Sequence, residues 1–447
     1  MGIVHRQVNA GFEQHYRGLI DSGLYEELVR ERLLIPHVEV DLRLPDAPEA
    51  FAVLRPEQVP FISYPYEWCF SQLKAAALLT LDLQRRALAR GLVLRDASAY
   101  NVQFIGHRAV FIDTLSFGPY VEGTPWLPYR QFCEHFLAPL ALIAHAHHSL
   151  GQLSRVHIDG VPLDLASRLL PLSSRIRPGL VTHIHLHSRS LVTGPRQHTR
   201  GTVVTQHRGV SPTAMLGLID SLTRTIANLE FEPPETLWST YSEHSNYSAA
   251  SQQHKQTLTA EWLSVIEART SARKVVDFGA NTGTFSRLAT TQTSAYVVAL
   301  DLDHTTVERH FRACVQRGDA RILPLVQDLR NPSAAAGWHH AERRSLAERG
   351  PADVGLALAL VHHLAIGGNV PLTEIAVFFA QMCSALIVEF IPSEDSQVQR
   401  MLALRGGVFA DYSRQTFEAA FQRTFEVEQS MTIAGTQRTL YMMRRRE

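Results

Sequence analysis

The chain has 447 residues, 45% of them hydrophobic and 19% charged, which is an ordinary globular composition with enough length for two domains or more. Lys and Arg total 43, as do Asp and Glu, so there is no overall basic field of the kind that binds nucleic acid or an anionic membrane. No apolar run predicts a signal peptide or a membrane span. The four cysteines form no C-x-x-C pair, which predicts reduced thiols in a cytoplasmic protein.

Residues 1–190 carry a helix, a polar loop and a short strand in succession. The spacing of apolar residues predicts a helix from Ser71 to Arg90, and the loop Arg95–Asn101 contains R-D-x-x-x-x-N. The apolar run Val110-Phe-Ile then ends in Asp113. This order resembles the catalytic segment of the protein-kinase and aminoglycoside-phosphotransferase superfamily, and Phe61–Trp68 occupies the place of its hinge. The resemblance implies an α+β kinase-like domain over 1–190.

By this resemblance Asp96 would accept a hydroxyl proton, and Asn101 and Asp113 would bind Mg²⁺ with a nucleotide. The chain departs from the superfamily in two places: no lysine precedes Lys74, and no glycine-rich loop precedes Gly91. We therefore expect a degenerate domain that assists acceptor binding. The alternative is that Asp96 and Asn101 only brace a turn through side-chain-to-backbone hydrogen bonds.

Residues 191–234 read as a polar connector followed by a helix, Met215–Leu229. An aromatic segment follows, with Trp238, Tyr241 and Tyr247, and we expect Lys255 on the next helix to be solvated. Histidines 183, 185 and 187 alternate and would share one face of a strand. A metal site needs three or four converging ligands, so we expect structural or solvated roles for these histidines.

Strands and polar ends alternate regularly in the last part of the chain. The run Val275–Ser286 reads as strand, glycine-bearing loop and helix start, because Gly279 and Gly283 let the backbone approach a ligand closely. The second strand ends in Asp301, the third in Asp328, and the fourth leads into His362-His363. A fifth strand, Ala385–Pro392, and a terminal hairpin complete the pattern.

This order resembles the class I S-adenosylmethionine-dependent methyltransferases, over residues 235–447. The loop is G-A-N-T-G rather than G-x-G-x-x-G, which disfavours a dinucleotide. The implied fold is α/β, a Rossmann-like, mostly parallel sheet with an antiparallel hairpin at the end and an N-terminal lid. The implied cofactor is S-adenosylmethionine.

The resemblance also implies roles for particular residues. The methionine part of the cofactor would lie on Asp277 and the loop residues Gly279, Ala280, Asn281 and Gly283. Asp301 would take the ribose hydroxyls, Asp328 would lie near the adenine amino group, and the lid residues Tyr241 and Tyr247 would face the sulfonium. His362 and His363 are the first candidate general bases and Glu389 the second.

Segments from both halves, among them Phe61–Trp68, Leu94–Phe104 and Leu386–Asp395, resemble the NoeA-like nodulation proteins. We therefore expect methyl transfer to a hydroxyl or amine of a small-molecule or saccharide acceptor, without specifying the acceptor or the oligomeric state. One alternative is a bifunctional kinase and methyltransferase. The other is a non-enzymatic, cofactor-binding interaction protein.

Overall fold

The computed structural model describes residues 3–42, 50–189, 209–236, 247–404 and 411–447. The chain divides into two compact units, Met1–Glu232 and Pro233–Glu447. Within the described ranges, no helix is both long and apolar enough to cross a membrane. The predicted lid residues Trp238 and Tyr241 lie outside these ranges. All four cysteines are free and buried.

Within its described residues, the first unit has three small antiparallel sheets. Its strands are β1 (Arg6–Asn9), β2 (His37–Glu39), β3 (Ala50–Pro56), β4 (Leu92–Leu94), β5 (Val102–Ile105), β6 (Arg108–Phe111) and β7 (Phe117–Pro119). One sheet has the order β1-β3-β2, and β4 pairs with β7 and β5 with β6. The β5–β6 hairpin directly follows Asn101, so Asn101 and Asp113 stand at its two open ends.

The α-helices among the described residues of the first unit are α1 (Glu13–Asp21), α2 (Leu24–Arg30), α3 (Phe70–Leu88), α4 (Tyr129–Phe132), α5 (Ala138–His145), α6 (Leu153–Val156), α7 (Leu163–Leu169), α8 (Pro178–Leu180) and α9 (Pro212–Ala227). Helices α3 and α9 confirm the two helices predicted there. Helix α3 buries most of its length because its apolar residues recur on more than one face.

The predicted histidine strand is wrong, because Val181–Leu186 is a turn of π-helix. The side chains of His183 and His185 point into the unit and are buried. The His183 ring nitrogens lie 2.7 Å from the Tyr129 hydroxyl and 2.9 Å from the Ser221 hydroxyl. Burial lowers the pKa of His183 to about 4, so the ring is neutral and structural.

The described residues of the second unit form a seven-stranded sheet with helices packed on it. Its strands are β8 (Lys274–Phe278), β9 (Tyr296–Asp301), β10 (Ile322–Val326), β11 (Ala352–Ala357), β12 (Cys383–Phe390), β13 (Phe425–Thr432) and β14 (Thr439–Arg445). The order is β10-β9-β8-β11-β12-β14-β13. Strands β8 to β12 are parallel, and β14 runs antiparallel to β12 and β13, so the predicted terminal hairpin is confirmed.

The helices of the second unit are α10 (Ala249–Thr270), α11 (Thr284–Gln292), α12 (His304–Arg317), α13 (Leu372–Met382), α14 (Ser396–Leu404) and α15 (Arg414–Phe421). They cover the sheet, so strand residues such as Val275, Val297 and Leu356 are fully buried. This explains the near-continuous β-branched and aliphatic runs of the sequence, which are typical of parallel strands buried on both faces.

Strand order reverses between β8 and β11. From β8 the chain moves outward to β9 and β10 and then crosses back to place β11 on the other side of β8. The connections leaving β8 and β11 therefore diverge and open a crevice at the carboxyl ends of the strands, where ligands bind in open α/β sheets. The residues singled out at these strand ends consequently lie around one crevice.

Candidate functional site

A cavity of about 610 Å³ lies at this crevice. Its lining residues come from α10, the loop after β8, and the ends of β9, β10 and β11. Of the residues predicted for the site, the lining includes Asp277, Gly279, Ala280, Asn281, Asp301, Asp328, Tyr247 and His363. The lining does not include Gly283, His362 or Glu389.

The loop after β8 folds back on the end of β9. The backbone N–H groups of Gly279 and Ala280 donate to the Leu300 carbonyl at 2.8 and 3.0 Å. Gly279 has φ +73° and Asn281 φ +49°, in the left-handed region that favours glycine and asparagine. The Asn281 N–H donates to the Asp301 carboxylate at 2.8 Å, so the loop and the end of β9 hold each other.

Gly283 has a packing role that the sequence pattern did not indicate. It precedes α11 with φ +80°, and an added Cβ would overlap the ring of His310. His310 is buried, and burial lowers the pKa of its ring to about 3. Gly283 is therefore required for the contact between the loop and α12 and is not part of the cavity wall.

Two carboxylates stand on adjacent strands at the cavity. Asp277 is buried and accepts a hydrogen bond from the Ser286 hydroxyl at 2.6 Å. The Asp301 carboxylate accepts the Asn281 N–H and, at 2.9 Å, the Asp303 N–H. Burial raises the pKa of Asp277 and of Asp301 to about 6, although these hydrogen bonds oppose the shift. A ligand with cationic and hydroxyl donors would stabilise both charges.

Asp328 lies two residues beyond the end of β10 and is engaged by its neighbour. The Arg330 guanidinium donates to both carboxylate oxygens, at 3.0 and 2.9 Å. Both side chains line the cavity. The ion pair is partly solvated, with 36% of the Asp328 side chain exposed, so a ligand can compete for it.

The two histidines after β11 lie in different surroundings. They stand in a helical turn beyond the strand, because β11 ends at Ala357 and His363 begins a π-helical turn. His363 lines the cavity, and burial lowers its pKa to about 4. His362 is fully buried, and its ring nitrogens have no hydrogen-bond partner within the described residues. Its pKa is lowered well below the usual value by burial, with His363 adding to the effect.

Glu389 belongs to a buried ionic cluster with Tyr247, Lys255 and Arg438. The Lys255 ammonium lies 2.7 Å from the Glu389 carboxylate, and an Arg438 guanidinium nitrogen lies 3.8 Å from it. The Tyr247 hydroxyl donates to the same carboxylate. Arg438 also donates to Asp395 at 2.8 Å. Glu389 is thus satisfied by cations and does not face the cavity.

The expectation of a solvated Lys255 is wrong, since the residue is 4% exposed. Its partner Glu389 is 134 residues away in the chain, a distance over which sequence pattern carries no pairing signal. The ring of Tyr247 lies 5.1 Å from the Lys255 ammonium and 4.3 Å from the Arg438 guanidinium. Its faces therefore already contact cations of the protein itself.

In the first unit, the predicted magnesium ligands meet around Ser116. The Ser116 hydroxyl donates to Asp113 at 2.5 Å, and the Asn101 amide donates to the Ser116 hydroxyl at 3.3 Å. Arg6, on β1, forms an ion pair with the Asp113 carboxylate. A guanidinium thus already pairs with one of the two predicted Mg²⁺ ligands, and the Mg²⁺ site stays a prediction.

In the hinge-like segment, the backbone hydrogen-bonding groups of Ser63 pair with a side chain of the protein itself. The Gln103 side-chain amide accepts the Ser63 N–H and donates to the Ser63 carbonyl, both at 2.9 Å. Both residues are buried. Asp96 accepts the Ser98 N–H at 2.8 Å, a turn-bracing hydrogen bond of the kind that the alternative interpretation expects.

The sheet order, with its antiparallel last pair, and the cavity at the strand ends define the class I methyltransferase type of α/β fold for the second unit. The chain is 37% identical over 390 residues to the nodulation protein NoeA of Rhizobium meliloti (strain 1021), covering 86% of this chain and 80% of that protein. The chain belongs to the NoeA family of nodulation proteins. No family model matches it.

Two solved structures show weaker similarity. The crystal structure of WbdD is 13% identical, covers 49% of this chain and 46% of that chain, and has a TM-score of 0.33. The magnesium protoporphyrin IX methyltransferase ChlM from Synechocystis PCC 6803, with bound SAM, is 13% identical, covers 47% of this chain and 94% of that chain, and has a TM-score of 0.29.

Proposed function

We propose that the chain transfers a methyl group from S-adenosylmethionine to a hydroxyl or amine of a small-molecule or saccharide acceptor. The observation that carries this proposal is the pair of carboxylates, Asp277 and Asp301, on adjacent strand ends of one cavity, with a tight glycine-bearing loop between them. Together they provide an anion for an ammonium group, a backbone surface, and a carboxylate for a diol.

The cavity residues suit each part of this cofactor. Asp301 would accept from the ribose hydroxyls through oxygens already oriented by the N–H groups of Asn281 and Asp303. Asp277 would accept from the methionyl ammonium. Asp328 and Arg330 would flank the adenine, as both line the cavity beyond β10. The cofactor supplies an electrophilic methyl group, and the protein mainly positions the acceptor for in-line attack.

His363 is our proposed general base. It lines the cavity and is neutral near pH 7, because burial holds its pKa at about 4. A neutral imidazole accepts a proton as the acceptor becomes cationic. His362 would support the turn from within, and Glu389 would position Lys255 and Tyr247 rather than take the proton.

We propose that residues 1–190 form a kinase-like domain that assists acceptor binding without using a nucleotide, with residues 191–234 as the connector. The hairpin between Asn101 and Asp113 supports the kinase-like comparison. Two interactions disfavour the bifunctional alternative. Arg6 forms an ion pair with Asp113, and Gln103 accepts a hydrogen bond from the Ser63 N–H.

Ultraviolet crosslinking of tritiated S-adenosylmethionine to the full chain tests the proposal. We expect label in peptides of 233–447, competed by S-adenosylhomocysteine and strongly reduced in Asp301→Asn, which keeps the shape of the side chain. Label confined to 1–232, or no competition, would contradict it.

A further inference from the structure

Lys255 is a buried cation that the proposed cofactor roles do not use. It lies on α10, lines the cavity and has 4% exposure. Its ammonium lies between the rings of Tyr247 and Phe285, 5.1 and 5.0 Å from their centroids. Within the described residues, its anionic partner is Glu389, at 2.7 Å.

A purely structural explanation of this ion pair is weak. Burying an ammonium costs several kcal/mol, and a buried ion pair seldom stabilises a fold more than apolar residues would. Glu389 also has Arg438 at 3.8 Å and the Tyr247 hydroxyl as partners. An ammonium has three donors, so one carboxylate leaves capacity for a second anion from the cavity.

The position of Lys255 along the cavity indicates which anion this is. Lys255 lies on the Asp277 side of the cavity, because its ammonium is 5.0 Å from the centroid of the Phe285 ring and the neighbouring Ser286 hydroxyl donates to Asp277 at 2.6 Å. The charge of Lys255 lowers the pKa of the Asp277 carboxyl against the effect of burial. With Asp301 at the ribose, the Asp277 side is the amino-acid end of the cofactor. An amino-acid zwitterion needs one anion and one cation, and Asp277 and Lys255 provide them.

We propose that Lys255 binds the carboxylate of the methionyl group of S-adenosylmethionine, an inference that rests on the proposed function. Glu389 is then a positioning residue, since its carboxylate and the rings of Tyr247 and Phe285 hold the ammonium at the cavity wall. Asp277 accepts the methionyl ammonium at the same end. Lys255 thereby distinguishes a complete cofactor from one without its amino-acid part.

The first experiment compares S-adenosylhomocysteine with 5′-methylthioadenosine, which keeps the adenosine and the thioether but lacks the amino acid. In Lys255→Met we expect the affinity for S-adenosylhomocysteine to fall about 10- to 100-fold, the loss of a charge-assisted contact, and the affinity for 5′-methylthioadenosine to change less than about 3-fold. Lys255→Arg should recover part of the loss. Lys274→Met is the matched control, because Lys274 lies on β8, the strand that follows α10, and does not line the cavity.

A second measurement observes Lys255 in the wild-type chain. The chain contains three lysines, Lys74, Lys255 and Lys274, so ¹³Cε-lysine labelling gives a simple spectrum that Lys→Arg substitutions assign. S-adenosylhomocysteine should shift the Lys255 signal, and 5′-methylthioadenosine should leave it nearly in place. Equal shifts with both ligands, or equal loss of both affinities in Lys255→Met, would overturn the inference. Failure of the wild type to bind either ligand would instead overturn the proposed function.

Discussion

The carboxylates of Asp277 and Asp301 connect cofactor binding to pH. Burial raises the pKa of each to about 6 in the free protein, so both take up protons as the pH falls below that value. The ionised forms are the ones that accept from an ammonium and from ribose hydroxyls. Protonation therefore competes with the cofactor on the acid side of pH 6 and is unimportant above pH 7.

We expect the affinity for S-adenosylhomocysteine to fall by about 10-fold per carboxylate between pH 7 and pH 5, because a group of pKa about 6 is about one-tenth ionised at pH 5. Affinity for 5′-methylthioadenosine, which does not need Asp277, should fall about half as steeply on a logarithmic scale. Calorimetric titrations at several pH values, with circular dichroism to verify folding, measure both slopes. Two flat profiles would show that neither carboxylate contacts the ligand.

Gly283 is the residue at which packing and backbone conformation act together. Gly283→Ala places a Cβ on a residue with φ +80° and against the His310 ring. We expect the free energy of unfolding to fall by about 2–5 kcal/mol, the sum of left-handed strain and overpacking. Urea denaturation measures the change.

Gly318→Ala is the matched control, since Gly318 has φ +71° and nothing within 4 Å of an added Cβ. In this variant the free energy of unfolding should fall only by the cost of left-handed strain, about 1–2 kcal/mol. Equal losses in the two variants would show that the His310 contact is unimportant.

At the scale of elements, the sheet was predictable because each parallel strand is a short apolar run with a polar residue near its carboxyl end. Strands β8 to β12 and the terminal hairpin follow directly from that pattern. The histidines at 183, 185 and 187 show its limit. Their alternation predicts a strand, but the segment forms a π-helical turn in which His183 makes hydrogen bonds with distant Tyr129 and Ser221.

The cavity walls were predictable where a residue lies at the carboxyl end of a strand, as with Asp277 and Asp301. They were not predictable where a partner comes from far along the chain. Lys255 pairs with Glu389 across 134 residues, and Arg6 pairs with Asp113 across 107. Such pairs depend on which elements pack together, and a single sequence contains no periodic signal for that.

The contact between β1 and the β5–β6 hairpin leads to a prediction about the first unit. Because the Arg6 guanidinium pairs with Asp113 and Gln103 occupies the hydrogen-bonding groups of Ser63, we expect no nucleotide binding there. In differential scanning fluorimetry, 5 mM Mg·ATP should shift the wild-type melting temperature by less than about 1 °C, whereas saturating ligands add about 3 kcal/mol. A larger shift that Asp113→Ala removes would revive the bifunctional alternative.

At the scale of the whole molecule, the two compact units, Met1–Glu232 and Pro233–Glu447, each have a core of their own. The proposed cofactor cavity is built from residues of the second unit. We therefore expect scanning calorimetry of the full chain to resolve two unfolding transitions. S-adenosylhomocysteine should raise the midpoint temperature of one of them by several degrees. Displacement of both transitions by the same amount would indicate that the units unfold together.

The central claim is that the cavity at the ends of β8 and β9 holds S-adenosylmethionine through Asp301. Calorimetric titration of the full wild-type chain with S-adenosylhomocysteine, beside a folded Asp301→Asn variant, tests it most directly. We predict one site per chain with micromolar affinity in the wild type. In the variant the affinity should fall at least about 10-fold, because a neutral amide in place of the carboxylate removes the charge-assisted hydrogen bond to the ribose. No binding to the wild type, or undiminished binding to Asp301→Asn, would contradict the account.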